Sequence, residues 1–255
     1  MKNLKFLIIL FYYNRPQMVK NAIQSIIESD YNNFNVAFID DGSEYKGIDV
    51  VKEMVNPDLL EKFIFYDTKC SKTDKEHLGG SIFGKYANMA IERSDADIGI
   101  MLCDDDALLP DYMTNLNKFF NENPDVNHCY SNVLFYDPTQ QDYKDGTPIP
   151  KYRHPNLSVV YAINNYNDKI NGYCKIDSSQ VGWRLKCNKE NNIWFPFPQT
   201  HSIDAALYRQ LYEKCGPCYP TGFFGQYKGA FLDQLSVRMH TPKPFDVLVD
   251  KMIKQ

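Results

Sequence analysis

Three consecutive aspartates, Asp104, Asp105 and Asp106, end the apolar run "DIGIMLC" and are followed at once by "ALLP". A run of that character belongs near the middle of a sheet, so at least one of the carboxylates should sit in a partly enclosed crevice. Crowded carboxylates disfavour one another's charged forms and push pKa values upward unless a cation compensates. Mg²⁺ or Mn²⁺ would supply that compensation through oxygen ligands. Such a cation also bridges a diphosphate and stabilises charge as a bond to phosphate breaks. A solvated acidic loop is the alternative, and the metal-diphosphate reading is preferred over it.

Three further segments end in polar residues after apolar runs. "KFLIILF" leads to Tyr12, Tyr13, Asn14 and Arg15, "NVAFI" to Asp40 and Asp41, and "KFIFY" to Asp67. If these are strands of one parallel sheet, their carboxyl ends line one crevice, where such sheets place binding chemistry. "DDGS" is also good turn chemistry, and Asp67 also suits a loop cap. Lys85, in the glycine-containing stretch "HLGGSIFGKYAN", either offsets phosphate charge or is an ordinary exposed lysine. Neither GxGxxG nor GxxxxGK[ST] follows the first strand, which argues against a dinucleotide fold and against a P-loop kinase.

The elements that must position these residues are legible from periodicity. In "RPQMVKNAIQSIIESD" Val19, Ala22, Ile23, Ile26 and Ile27 share a helical face. A short helix is expected over Ile48 to Val55, a longer one over "SIFGKYANMAIERS", and another over "PDYMTNLNKFFNEN", started by Pro110. Strands alternating with helices predict an α/β fold with a mostly parallel central sheet flanked by helices. In the less regular second half, "VNHCYSNVLFYD" and "LSVVYAI" read as strands. "DPTQQDYKDGTPIPKYRHP" between them is a long loop, either a lid or peripheral.

The chain has 255 residues and a formal net charge of −4, which argues against a strongly basic nucleic-acid footprint. The apolar start is too short to span a bilayer and lacks a small-residue cleavage site, so it is read as the first buried strand. Seven cysteines, without metal-site spacing, favour a reduced, cytoplasmic setting. "CGPC", Cys215 to Cys218, has redox spacing. It follows a helical pattern, however, where a glycine-proline stop makes turn chemistry the preferred reading.

In order and spacing, "LFYYNRPQMVKNAIQSII", "FIDDGS" and "GKYANMAIERSDADIGIMLCDDDALLP" together resemble a family 2 glycosyltransferase with the GT-A nucleotide-diphospho-sugar transferase fold. The likeness runs from about Leu4 to His240. It implies one catalytic domain over 1–240, with a donor-binding half of about 1–125, an acceptor-side extension of about 126–240 and a tail at 241–255. On this resemblance Phe11, Tyr12 and Asn14 lie beside the nucleotide base. Asp41 accepts a hydrogen bond from the base, which suits the ring N–H of uracil or thymine, with Asp40 behind it or near the ribose. Lys85 lies near the donor phosphates, Asp104 near the ribose or a metal-bound water, and Asp105 ligates Mn²⁺ or Mg²⁺ together with His240. The family's Asp-x-Asp-Asp reads Cys103, Asp104, Asp105, Asp106 here; the first aspartate is replaced by a cysteine suited to strand packing.

The resemblance further makes Asp204, opening the helical pattern "DAALYRQLYEK", the general base, although Ile203 stands where a glutamate is common. An acid in a first helical turn also has a purely structural use. Asp177, with Ser178 and Gln180, is nominated beside donor sugar and acceptor; Arg238 is a companion candidate to His240, which fits the family's histidine position better than His201 does. Trp183, Trp194, Phe195 and Phe197 are divided between a sugar platform and the core. The implied activity is metal-dependent, inverting transfer from a UDP- or dTDP-linked sugar to a hydroxyl of a glycan or other acceptor, as in polysaccharide biosynthesis. The alternatives are a noncatalytic nucleotide-sugar or glycan-binding module and a sugar-phosphate nucleotidyltransferase. The lysine-rich tail offers peripheral membrane contact or contact with a further domain.

Overall fold

A computed structural model describes residues 1–69, 82–135, 158–160, 178–197 and 203–228. Strand β1 (Phe6–Tyr12) lies between β2 (Phe34–Asp40) and β4 (Ile98–Cys103), and β3 (Phe63–Asp67) flanks β2, all in parallel. Their side chains alternate between two layers. Phe6, Ile8, Leu10 and Tyr12 enter one core with Val19, Ala22, Ile23 and Ile26 of α1 (Pro16–Ile27) and with α5 (Tyr112–Glu122). Leu7 and Ile9 enter the other with Ala87, Ala90 and Ile91 of α4 (Phe83–Arg93) and with α7 (Ile203–Cys215). Burial on both faces explains the near-continuous apolar character of these strands.

The expected elements of the first half are present, including the short helix α2 (Gly47–Met54). A four-residue helix α3 (Pro57–Leu60), capped by the Asn56 side chain, was not anticipated. The sheet is parallel from β3 to β4 and mixed beyond. The strand β8 (Val181–Arg184) lies antiparallel against β4, and β6 (His128–Phe135) antiparallel against β8. The strand β9 (Tyr219–Lys228) runs parallel to β6, and the two-residue β5 (Ala107–Leu108) pairs antiparallel with β9. The order is β3-β2-β1-β4-β8-β6-β9-β5, with β7 (Ser158–Val160) on β6. The sequence reading did not isolate β5, β8, β9 or the short helix α6 (Lys186–Asn191).

Trp183 and Phe195 belong to the core, whereas Phe197 is 45 % exposed. The indole N–H of Trp183 donates to Asn188 Oδ1 at 2.8 Å, so its polar handle is satisfied internally. "CGPC" is a helix stop: α7 ends at Cys215, and Gly216 has φ 89°, the left-handed conformation that closes helices. Cys215 is a free thiol. Among the described residues no helix is long and apolar enough to cross a membrane. The loop at 137–155 and the tail lie outside the described residues.

Parallel and antiparallel halves meet at Gly99 of β4, opposite Trp183. A Cβ at this position would lie 2.7 Å from Leu185 Cδ2 and 2.8 Å from the Trp183 ring. Gly99→Ala therefore overpacks the seam and is expected to cost about 1–3 kcal/mol, measured as a lowered urea midpoint at unchanged slope.

Candidate active site

The strand ends are level. Tyr12 lies opposite Asp40, Phe11 opposite Cys103, and Asp40 opposite Asp67, so residues distant in sequence share one edge. At Cys103 the chain turns tightly, with the Asp106 N–H donating to the Cys103 carbonyl at 3.1 Å. Asp104 and Asp105 occupy the centre of this turn. The chain is re-anchored directly afterwards, because the Leu108 N–H donates to Ser25 Oγ at 3.0 Å and the Leu109 N–H to the Gly225 carbonyl at 2.9 Å. All three aspartates are buried, with relative exposures of 7 %, 5 % and 0 % in chain order. The acidic run is not a solvated loop.

Arg15 offsets part of this charge. Its Nη1 lies 3.2 Å from Asp104 Oδ1 and 3.0 Å from Asp105 Oδ2. The Tyr13 N–H donates to Asp104 Oδ2 at 3.1 Å. Burial, and next the charge of Asp105, push the Asp104 carboxyl up to about 7, against the opposing pull of Arg15 and the Tyr13 amide. Arg15 immediately precedes α1, where Pro16 presets the first helical φ. Its side chain makes no cap to that helix and reaches the carboxylates instead. Asn14 before it has φ 51°, a left-handed conformation that asparagine tolerates.

The end of β2 separates two roles. Asp40 accepts from the N–H groups of Ser43 (2.8 Å) and Gly47 (2.9 Å), which makes it the organiser of the loop. Asp41 is buried, and its N–H donates to the Tyr12 carbonyl at 3.0 Å. Asn14 joins the same loop: its N–H donates to Ser43 Oγ at 3.0 Å and its Oδ1 accepts from the Glu44 N–H at 2.8 Å. The Tyr12 ring is in the core and its hydroxyl donates to the Tyr45 carbonyl at 2.7 Å. Burial, then the charges of Asp40 and Asp104, raise the Tyr12 phenol and keep it neutral. Asp67 pairs with Lys46 at 3.2 Å and accepts from the Lys69 N–H at 3.0 Å, a loop-capping role on an edge strand.

The starts of α4 and α7 border the same region. Phe11 packs on Phe83 with ring centroids 4.3 Å apart. A Cβ on Gly84 would lie 2.8 Å from Ile203 Cδ1, so Lys85 and Asp204 each follow a residue of this contact. Lys85 is exposed. Asp204 Oδ1 accepts from the Ala205 N–H at 2.9 Å. One turn further, the Tyr208 hydroxyl donates to the Ser178 carbonyl at 3.0 Å, and Ser178 Oγ is 3.7 Å from Cys103 Sγ. These contacts tie the helix that carries Asp204 to the end of β4. The Gln180 amide is used internally, donating to the Ser131 carbonyl at 2.8 Å. His240, Asp177, His201 and Arg238 lie outside the described residues.

Ligand atoms of Cys103, Asp105 and Asp106 lie within 4.8 Å of one another. Two buried carboxylates beside a half-buried thiol fit a divalent cation, the oxygens suiting Mn²⁺ or Mg²⁺. Sequence reasoning treated Cys103 as packing and did not select Asp106. The i to i+3 turn that returns Asp106 toward Cys103 is the missing signal, and the leucines after it hint at that return. Arg15 was noticed at the end of β1, without its charge partners.

The Asp104 carboxyl carries a stability prediction. Its folded pKa is raised above the unfolded value of about 3.9, so between about pH 4 and 7 the folded state holds the extra proton. Stability of the cation-free protein is therefore expected to rise as pH falls from 7 toward 4. Thermal melts in EDTA check this, and Asp104→Asn should flatten the slope in that window.

Comparison with known proteins agrees with this fold. Residues 7–216 match Glycosyl transferase family 2. The structure of S. aureus TarS 1–349 in complex with UDP-GlcNAc is similar at TM-score 0.65 and 16 % identity, over 98 % of this chain and 66 % of that one. The mannosyltransferase PcManGT from Pyrobaculum calidifontis, in complex with GDP-Man and Mn²⁺, is similar at TM-score 0.61 and 12 % identity, over 94 % of this chain and 60 % of that one. The chain thus spans about two thirds or less of the length of either protein. With a family match across most of its length, and with this sheet and strand-end site, the chain belongs to glycosyl transferase family 2 and has the GT-A fold.

Proposed function

We propose that this protein is a metal-dependent, inverting glycosyltransferase that moves a sugar from a UDP- or dTDP-linked donor to a hydroxyl of a glycan or other acceptor. The observation that carries the proposal is the buried acidic turn at the end of β4, in which Asp104 and Asp105 share one guanidinium while Cys103, Asp105 and Asp106 converge. The family match supports it, as do fold neighbours solved with UDP-GlcNAc or with GDP-Man and Mn²⁺.

In this reading Asp41 accepts a ring N–H of the base, Phe11, Tyr12 and Asn14 form its surroundings, and Lys85 faces the phosphates. Because the Tyr12 ring is buried, its share falls to the main chain. Asp105 leads the cation ligands, with Asp106 and Cys103 beside it and His240 assigned on family resemblance. A cation held by these residues would supply neutralisation of the charge on the departing diphosphate. The Asp204 carboxylate takes the proton of the acceptor hydroxyl, whose oxygen forms the new bond to the anomeric carbon. The bond from that carbon to the diphosphate oxygen breaks on the opposite face, and the nucleoside diphosphate leaves with the electron pair. A place in polysaccharide biosynthesis, a reduced cytoplasmic setting and peripheral contact through 241–255 belong to the same proposal.

Thermal shifts with UDP-, dTDP- and GDP-sugars, with and without Mn²⁺, test the donor. A cation-dependent rise with one uracil- or thymine-linked donor is expected, and a response confined to GDP-sugars would overturn the base assignment. Asp105→Asn should remove the cation-dependent part of that rise. Asp204→Asn should keep it while lowering transfer by roughly 10²–10⁴-fold, and near-wild-type transfer would sink the base assignment. Donor binding by the wild type, with neither transfer nor donor hydrolysis across an acceptor panel, would leave a binding module.

A further inference from the structure

Arg15 stands between solvent and the buried carboxylates. Its side chain is 30 % exposed, whereas those of Asp104 and Asp105 are 10 % and 7 % exposed. One nitrogen, Nη1, serves both carboxylates, in place of the two parallel bonds of a forked arginine-carboxylate pair. The contact is therefore closer to that of a point charge placed between two anions, a position that a more highly charged ion contests. The backbone beneath is held on both sides: Asn14 is bonded to Ser43 and Glu44, and Pro16 opens α1. Asp104 also accepts from the Tyr13 amide, a contact that does not involve the guanidinium.

We infer that Arg15 is a built-in counter-cation, which holds Asp104 and Asp105 until a divalent cation displaces it and then transfers to the diphosphate of the donor. This rests on the cation and donor reading above and extends it to how the two bind together. Leaving two buried carboxylates without a cation is costly, so the guanidinium stabilises the cation-free protein. The same contact must be broken when Mn²⁺ enters, so Arg15 weakens cation binding by itself. A diphosphate presents the guanidinium with paired oxygens that it binds well, which lowers the cost of its departure. Cation and nucleoside diphosphate then favour each other's binding through Arg15, and linkage makes that coupling reciprocal.

The test uses the full chain, with free Mn²⁺ followed by electron paramagnetic resonance, and UDP as the diphosphate probe. Arg15→Gln is expected to bind Mn²⁺ alone about five-fold or more tightly than wild type, within the usual range of coupling. The gain in Mn²⁺ affinity from added UDP should shrink correspondingly in the variant. Equal or weaker Mn²⁺ binding by Arg15→Gln, with wild type binding normally, overturns this inference and leaves the proposed function standing. Binding by neither protein, with or without UDP, overturns the cation reading and this inference with it. Should Arg15→Gln fail to fold, the charge-retaining Arg15→Lys assigns the Arg15 Nε–H resonance in ¹⁵N spectra by its loss. In wild type that resonance is expected to move on adding Mg²⁺, and to move again with UDP; a resonance that stays in place overturns the inference.

Discussion

The structure depends on holding like charges where charge is least welcome. Asp104, Asp105 and Asp106 follow a central strand and stay buried, so each carboxylate loses hydration that nothing apolar can replace. What compensates comes from several parts of the chain: the Arg15 guanidinium, the Tyr13 amide and the tight turn from Cys103 to Asp106. The raised Asp104 carboxyl shows that the compensation is incomplete. A protein built only for stability would not keep three acids there, and strain of this kind concentrates at functional sites.

The surrounding scaffold follows from that demand. Level strand ends put β1, β2 and β4 at one edge. The segment that supplies Arg15 must leave β1 and turn into α1 within a few residues, which Asn14 and Pro16 accomplish with a left-handed residue and a fixed φ. Asp40 gives both carboxylate oxygens to the amides of its own loop. On the far side, Tyr208 and Ser178 fasten α7 to the β4 edge. Asp204 and the acidic turn thereby sit on elements that pack together, which the proposed transfer, with its separate proton-acceptor and leaving-group requirements, would need.

Much of this was legible in the residues. Periodicity located β1 to β4 and five of the helices, because buried strands and amphipathic helices impose patterns that few other arrangements satisfy. The triple aspartate announced itself by its position after an apolar run, and Cys215-Gly-Pro-Cys218 was rightly read as a stop. Less was legible beyond Glu122. The strand β8 is four residues long and β5 two, too short for a period to register, and their places come from pairing partners far along the chain.

The sequence by itself determined which groups carry charge, which segments must be buried and therefore which end of the sheet gathers the chemistry. These are local matters of side-chain type and spacing. Only the tertiary structure decided which charge faces which. That Arg15 meets both Asp104 and Asp105, that Cys103 and Asp106 converge with Asp105, and that Asp40 serves its loop all follow from strand register and a turn's direction. Coulombic and hydrogen-bonding contacts act over a few ångströms, here between Arg15 and acids about ninety positions away. Distance along the chain carries no trace of them until the sheet has closed.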